Sequence, residues 1–151
     1  MGTSPNSYLT VSTTGSFQLR NDADVRISAI DIGSNSIRQT IADVSPTGAI
    51  RVVDEMKAAP RLGAGLYKRG SLNEIAVQNA LSTLSRMATL ANQLGVERTE
   101  VVATSAVRDA SNGDQFLKLV RAETGLSVRI LRGDDEARLS FRSALAHFDL
   151  G

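Results

Sequence analysis

The stretch Ala29-Ile30-Asp31-Ile32-Gly33-Ser34-Asn35-Ser36-Ile37 decides how this chain is read. An apolar strand runs into one acidic residue and a turn of small residues, and a second apolar strand begins. Asp31 closes the first strand where a carboxylate can meet a metal ion or water. Gly33, Ser34, Asn35 and Ser36 offer backbone N–H groups and short polar side chains to an oxyanion. The same nine residues also suit an ordinary β-hairpin in which Gly and Asn meet turn geometry, so both readings stand on this stretch alone.

Working outward, residues 25–32 read as a buried strand and 37–44 as its hairpin partner. Residues 49–58 read as a third strand after the turn Ser45-Pro46-Thr47-Gly48. The segment Arg61-Leu62-Gly63-Ala64-Gly65-Leu66 then leads through Gly70 to Ser71 and Glu74, which stand at capping-box spacing. A long helix follows, with Val77, Leu81, Leu84, Ala88 and Ala91 on one face and Gly95 as its stop. Residues 100–104 read as a short buried strand and 105–112 as a polar segment. Asn112 and Gln115, again at capping-box spacing, open a second helix that turns Phe116, Leu119 and Val120 inward and stops at Gly125. Residues 127–131 make a fifth strand. Gly133 and Asp134 open a last helix with Ala137, Phe141, Ala144, Leu145 and Phe148 at helical period.

The order βββαβαβα predicts an α/β fold with a mixed five-stranded sheet covered by helices. This is the layout of an RNase H-like or actin-like subdomain. Residues 1–24, rich in Ser, Thr, Gly and Asn, read as a flexible tail, with a short edge strand around 8–11 as the alternative. The folded domain is expected to span 25–151.

With 17 basic and 16 acidic residues among 151, the formal charge is +1, which argues against a general nucleic-acid or membrane-surface partner. The absence of cysteine excludes a thiolate nucleophile or a disulfide framework and favours the cytosol. No run approaches the ~20 apolar residues of a membrane span, and the first residues lack a secretory pattern, so a cytoplasmic protein is expected.

Three loops leave strand ends where such sheets bind ligands. The first is the hairpin after Asp31. In the second, Thr104 and Ser105 supply hydroxyls, and the planar fork of Arg108 suits two oxygens of a phosphate. Arg108 also stands next to Asp109, and a local ion pair on a solvated loop is the competing reading. The third loop carries Asp134, Asp135 and Glu136 at a helix start, where the dipole keeps a carboxylate ionised, as a general base requires. Acidic first turns also simply stabilise helices. His147, the sole histidine, reads as a surface residue. Lys57, Arg61, Lys68 and Arg69 flank the glycine-containing segment and could attract a polyanion, but a solvated loop is the favoured reading, on the expectation that no aromatic residue interleaves them for base stacking.

Four motifs, taken in order, resemble the exopolyphosphatase/guanosine pentaphosphate phosphohydrolase (Ppx/GppA) family. They are Asp31-Ile32-Gly33-Ser34-Asn35-Ser36, Arg61-Leu62-Gly63, Ala103-Thr104-Ser105-Ala106-Val107-Arg108-Asp109-Ala110 and Gly133-Asp134-Asp135-Glu136-Ala137-Arg138-Leu139. The resemblance covers about residues 26–150. It implies membership of the actin-like ATPase superfamily and Mg2+-dependent hydrolysis of terminal phosphoanhydrides in polyphosphate or pppGpp. It further implies phosphate binding by Gly33, Ser34, Asn35, Ser36, Thr104, Ser105 and Arg108, metal contact through water at Asp31, and Glu136 as the base that activates water. The family's second glycine-rich phosphate loop, with its metal-binding Asp, and its second domain are expected beyond Gly151. That predicts a half-site with little turnover of its own. The alternative is a non-catalytic, regulatory polyphosphate-binding module arising by truncation. Exposed apolar surface on the open side would favour a homodimer. A nuclease of RNase H-like fold is disfavoured, because such sites need several carboxylates converging on two metals.

Overall fold

The computed structural model describes residues 8–11, 17–20 and 23–132. Its central sheet contains β3 (Val25–Ile32), β4 (Ile37–Val44), β5 (Ile50–Ala58), β6 (Arg98–Ala103) and β7 (Val128–Ile130), in the order β5-β4-β3-β6-β7. The three meander strands are antiparallel, while β6 adds parallel to β3 and β7 parallel to β6. The mixed five-stranded sheet is thus the one expected. Ahead of it, β1 (Tyr8–Val11) and β2 (Phe17–Arg20) pair antiparallel as a separate two-stranded sheet. The stretch read as a tail therefore contains two paired strands, and the one at 8–11 is not on the edge of the main sheet.

Two helices link the parallel strands. Helix α2 (Glu74–Gln93) lies between β5 and β6, and α4 (Gly113–Thr124) lies between β6 and β7. Their apolar stripes pack on one face of the sheet. Ala80, Leu81, Leu84 and Met87 of α2 and Phe116 and Val120 of α4 close over Ile30, Ile32, Ile37, Val101 and Ala103. Burying one such aliphatic or aromatic side chain is worth about 1.5–3 kcal/mol, so this layer holds the helices to the strands. Met87, rather than the expected Ala88, completes the inner stripe of α2. On the opposite face Ile27, Ala29, Ala42 and Val44 are buried as well.

The helix starts differ from the capping boxes read in the sequence. Asn73, not Ser71, caps α2: its Oδ1 accepts from the N–H groups of Ile75 at 2.8 Å and Ala76 at 3.2 Å. Asn112 stands at the N-cap of α4 but turns its side chain away. Its Oδ1 accepts from Leu72 N–H at 2.7 Å and its Nδ2 donates to Leu72 O at 3.2 Å, so one amide pairs with both backbone groups of a distant loop. Gly95 and Gly125 end the helices in left-handed conformation, as expected.

Two short helices were not anticipated: α1 (Leu66–Arg69) and α3 (Ser105–Asp109). At four and five residues they show no helical period long enough to recognise. The last helix read from Gly133 onward, with Glu136 and His147, lies outside the described residues.

Candidate functional site

Strand register brings the first two loops to one edge of the sheet. Parallel pairing aligns Asp31 with Val102 and Ile32 with Ala103, and Ala103 in turn aligns with Ile130. The ends of β3, β6 and β7 therefore lie side by side, next to the start of β4 and the end of β5. The hairpin turn at 33–36, the segment from Thr104 to Arg108 and Leu131 all leave from this edge.

The hairpin is held by its carbonyls. Gly33 N–H donates to Ser36 O at 2.9 Å within the turn. Gly63 N–H donates to Ser34 O at 2.9 Å and Arg61 N–H to Asn35 O at 3.0 Å, so residues 61–63 brace the turn from one side. The bracing needs a close approach. A Cβ on Gly63 would lie 3.0 Å from Ser34 Cβ, and Arg61 adopts a left-handed φ of 56°, a conformation unfavourable for a non-glycine residue. With the carbonyls tied back, the amide N–H groups of Ser34, Asn35 and Ser36 donate to no described residue. Acceptors used and donors unspent at 34–36 make a backbone cradle for an anion, while the N–H of Gly33, expected to share in it, is taken by Ser36 O.

The second loop joins the same frame. Thr104 donates its backbone N–H to Ile32 O at 3.1 Å, and its hydroxyl reaches the same oxygen at 3.4 Å. Ser105 opens α3 beside it. Arg108 places Nε 3.0 Å from Asp109 Oδ1, and its guanidinium also donates to Leu131 O at 3.3 Å. The guanidinium thus lies across the ends of β6 and β7, in the local ion pair that the sequence offered as the competing reading. Both partners are exposed, so the pair is weak and a phosphate can displace the carboxylate.

The frame closes through Asn112. Its amide pair with Leu72, together with Ser111 N–H to Gly70 O at 2.8 Å, ties the segment after α3 to the segment that braces the hairpin. Hairpin, brace and Arg108 segment form one hydrogen-bonded ring.

Asp31 sits half-buried at the base of the hairpin, and its Oδ1 is buried without a hydrogen-bond partner. Burial raises its pKa above the ordinary 3.8, and Arg38, directly opposite on β4, pulls the other way. Arg38 carries no motif of its own in the sequence, although a hairpin with a four-residue turn already pairs position 31 with 38. Among the described residues no group of three or more His, Cys, Asp or Glu could hold a metal ion. The orphaned Asp31 oxygen fits a contact with a hydrated cation, as one ligand.

An acid with a raised folded pKa is bound more tightly by its proton in the fold. Its contribution to stability is therefore best at acid pH and is lost as pH rises from 3.8 through the raised value. Asp31→Asn is expected to melt above wild type at pH 7, with the difference vanishing below the ordinary carboxylate value. Melting curves across pH check this, and a wild type that equals or exceeds the variant at pH 7 contradicts it.

A mixed sheet with helix-linked strands and a free-amide hairpin at its strand ends defines an RNase H-like subdomain of the actin-like ATPase superfamily. Residues 40–150 match the profile of the Ppx/GppA phosphatase family, and the chain belongs to that family. It is 34% identical over 117 residues to exopolyphosphatase 1 of Mycobacterium tuberculosis, covering 78% of this chain and 34% of that protein. It is 33% identical over 128 residues to guanosine-5'-triphosphate,3'-diphosphate pyrophosphatase of Photobacterium profundum, covering 85% of this chain and 25% of that protein. The crystal structure of the Aquifex aeolicus Ppx/GppA family member superposes with a TM-score of 0.72 at 34% identity, over 76% of this chain and 37% of that one. The chain therefore spans about a third or less of the length of these relatives. No helix among the described residues is long and apolar enough to cross a membrane.

Proposed function

We propose that this chain supplies the phosphate-gripping side of a phosphoanhydride hydrolase acting on polyphosphate or pppGpp. The observation that carries the reading is the turn at 34–36, whose carbonyls are tied back and whose amide N–H groups donate to no described residue. The terminal phosphate lies on those amides, with Ser34 and Ser36 hydroxyls beside it. Arg108 swings from Asp109 to the phosphate oxygens, and Ser105 adds a hydroxyl. Glu136 is the base that takes the proton of the attacking water. Mg2+, held in part at Asp31 through water, would neutralise phosphate charge when bound. Stabilising charge on the transferred group is the main demand of phosphoryl transfer, and oriented amides and a guanidinium meet it. The relatives' names are those of exopolyphosphatases and pppGpp pyrophosphatases, in line with this substrate class.

The 151-residue chain is expected to bind phosphate with little turnover, because the described edge brings only Asp31 among carboxylates to the hairpin base. Nuclear magnetic resonance titration with orthophosphate tests the reading. The amide signals of residues 34–36 should shift most, and Arg108→Ala should weaken binding about tenfold, the loss of one charge-assisted bidentate contact. Shifts confined to other surfaces, or an Arg108→Ala variant that binds like wild type, would sink it.

A further inference from the structure

The same sheet edge carries a row of charge that the hairpin reading leaves unused. Register sets Asp31, Arg38 and Lys57 side by side on β3, β4 and β5. Neighbouring strands lie about 4.8 Å apart, so the row spans about 10 Å of backbone. Ile32 and Ile37, next in sequence to Asp31 and Arg38, point into the helix-side core, so the row faces the other way. Arg38 and Lys57 are exposed, and neither forms an ion pair with a described carboxylate, whereas Arg26, Arg51, Arg108 and Arg129 all do. Between them opens a hollow of about 200 Å³ lined by Arg38, Gln39, Thr40, Glu55, Met56 and Lys57. Glu55, opposite Thr40 and further from the strand ends, bounds it with negative charge.

Two adjacent cations, neither ion-paired with a described carboxylate, stand beside an anion cradle and repel each other mildly until an anion joins them. One anion fits both the cradle and the row: a linear one whose charges repeat along its length. We propose that Lys57 is the outer cation of a subsite for the second and later phosphates of a phosphoanhydride chain whose terminal phosphate lies on the hairpin. The inference rests on the phosphate reading of that hairpin. Glu55 turns the chain outward along the edge rather than inward over the sheet. The ammonium of Lys57 acts as a point charge, so it recognises the chain by charge and length rather than by geometry.

Isothermal titration of the 151-residue chain with tripolyphosphate, and separately with orthophosphate, tests this. Wild type is compared with Lys57→Gln and with Lys118→Gln, a charge control exposed on α4. Lys57→Gln should weaken tripolyphosphate binding about three- to fivefold, as one solvent-exposed ion pair would. It should also flatten the dependence on salt by about one counterion and leave orthophosphate unchanged. Lys118→Gln should change neither. Unchanged tripolyphosphate affinity in Lys57→Gln, or an equal loss in Lys118→Gln, overturns the subsite and leaves the hairpin reading standing. A wild-type chain that binds neither ligand overturns the hairpin reading and the subsite together.

Discussion

Replacing Asp43 by alanine is expected to cost about 3–5 kcal/mol of stability, because it strands a buried guanidinium. Arg26 and Asp43 are each only 1% exposed and meet as a two-pronged pair, Nε to Oδ1 at 2.7 Å and Nη2 to Oδ2 at 2.9 Å. Arg26 also donates to Leu94 O at 2.9 Å, past the end of α2. Its backbone exchanges bonds with Glu97, N–H to Oε2 at 3.1 Å and O from Glu97 N–H at 2.8 Å. The pair thus pins the far end of the β3–β4 hairpin to the turn that leads into β6. A domain of this size holds only about 5–15 kcal/mol in total, so the loss removes a large share of it. Arg51 reaches the same carboxylate at 3.0 Å but is 41% exposed, and Arg51→Ala should cost under about 1 kcal/mol. Replacing both buried partners by apolar residues of similar volume should recover most of the loss, since no charge is then left unpaired. Urea unfolding of the four proteins separates these cases. An Asp43→Ala variant within about 1 kcal/mol of wild type would show that the charge finds water.

Gly113→Ala is expected to destabilise by about 3 kcal/mol, the upper end of what overpacking in a close contact costs. A Cβ at this position would overlap the carbonyl oxygen of Val107, a backbone atom that cannot rotate aside. Gly113 is buried at the first turn of α4, where the chain turns back against α3. Relief requires α4 and α3 to separate, and α3 carries Arg108 and follows Thr104. The variant should therefore lose phosphate affinity as well as stability, although Gly113 touches no proposed ligand. Gly125→Ala gives a contrast: its Cβ would meet nothing within 4 Å, and only its left-handed φ of 76° opposes the change. About 1 kcal/mol and unchanged phosphate binding are expected there. Thermal melts paired with phosphate titration check both, and a Gly113→Ala protein with the melting point of Gly125→Ala would contradict the contact.

Much of this was legible along the chain. The bounds of β3 and β4 follow from two apolar runs around a small-residue turn, and α2 and α4 follow from stripes long enough to show a period. Helix stops at Gly95 and Gly125 follow from the need for a left-handed residue. The errors lie where two residues compete for one role. Ser71 and Asn73 both make good caps, and only the position of the first helical turn selects Asn73. Asn112 is an equally good cap in sequence, yet it serves Leu72, forty residues away, because a buried loop's N–H and C=O must find partners. The aromatic ring of Tyr67 stands wholly exposed beside Lys68 and Arg69, inside the cluster read as having no interleaved aromatic residue.

By itself the sequence determined the order of elements, the hairpin and the residue types able to hold a phosphate, because these depend on local period and turn chemistry. Tertiary structure alone decided what those residues are free to do. It tied the carbonyls of Ser34 and Asn35 to Gly63 and Arg61, leaving the amides open, and it set Arg108 against Asp109. It also lined up Asp31, Arg38 and Lys57 across three strands. Hydrogen-bond saturation and strand register join residues distant in sequence, and no local pattern encodes which of several equal donors or cations will be left without a partner.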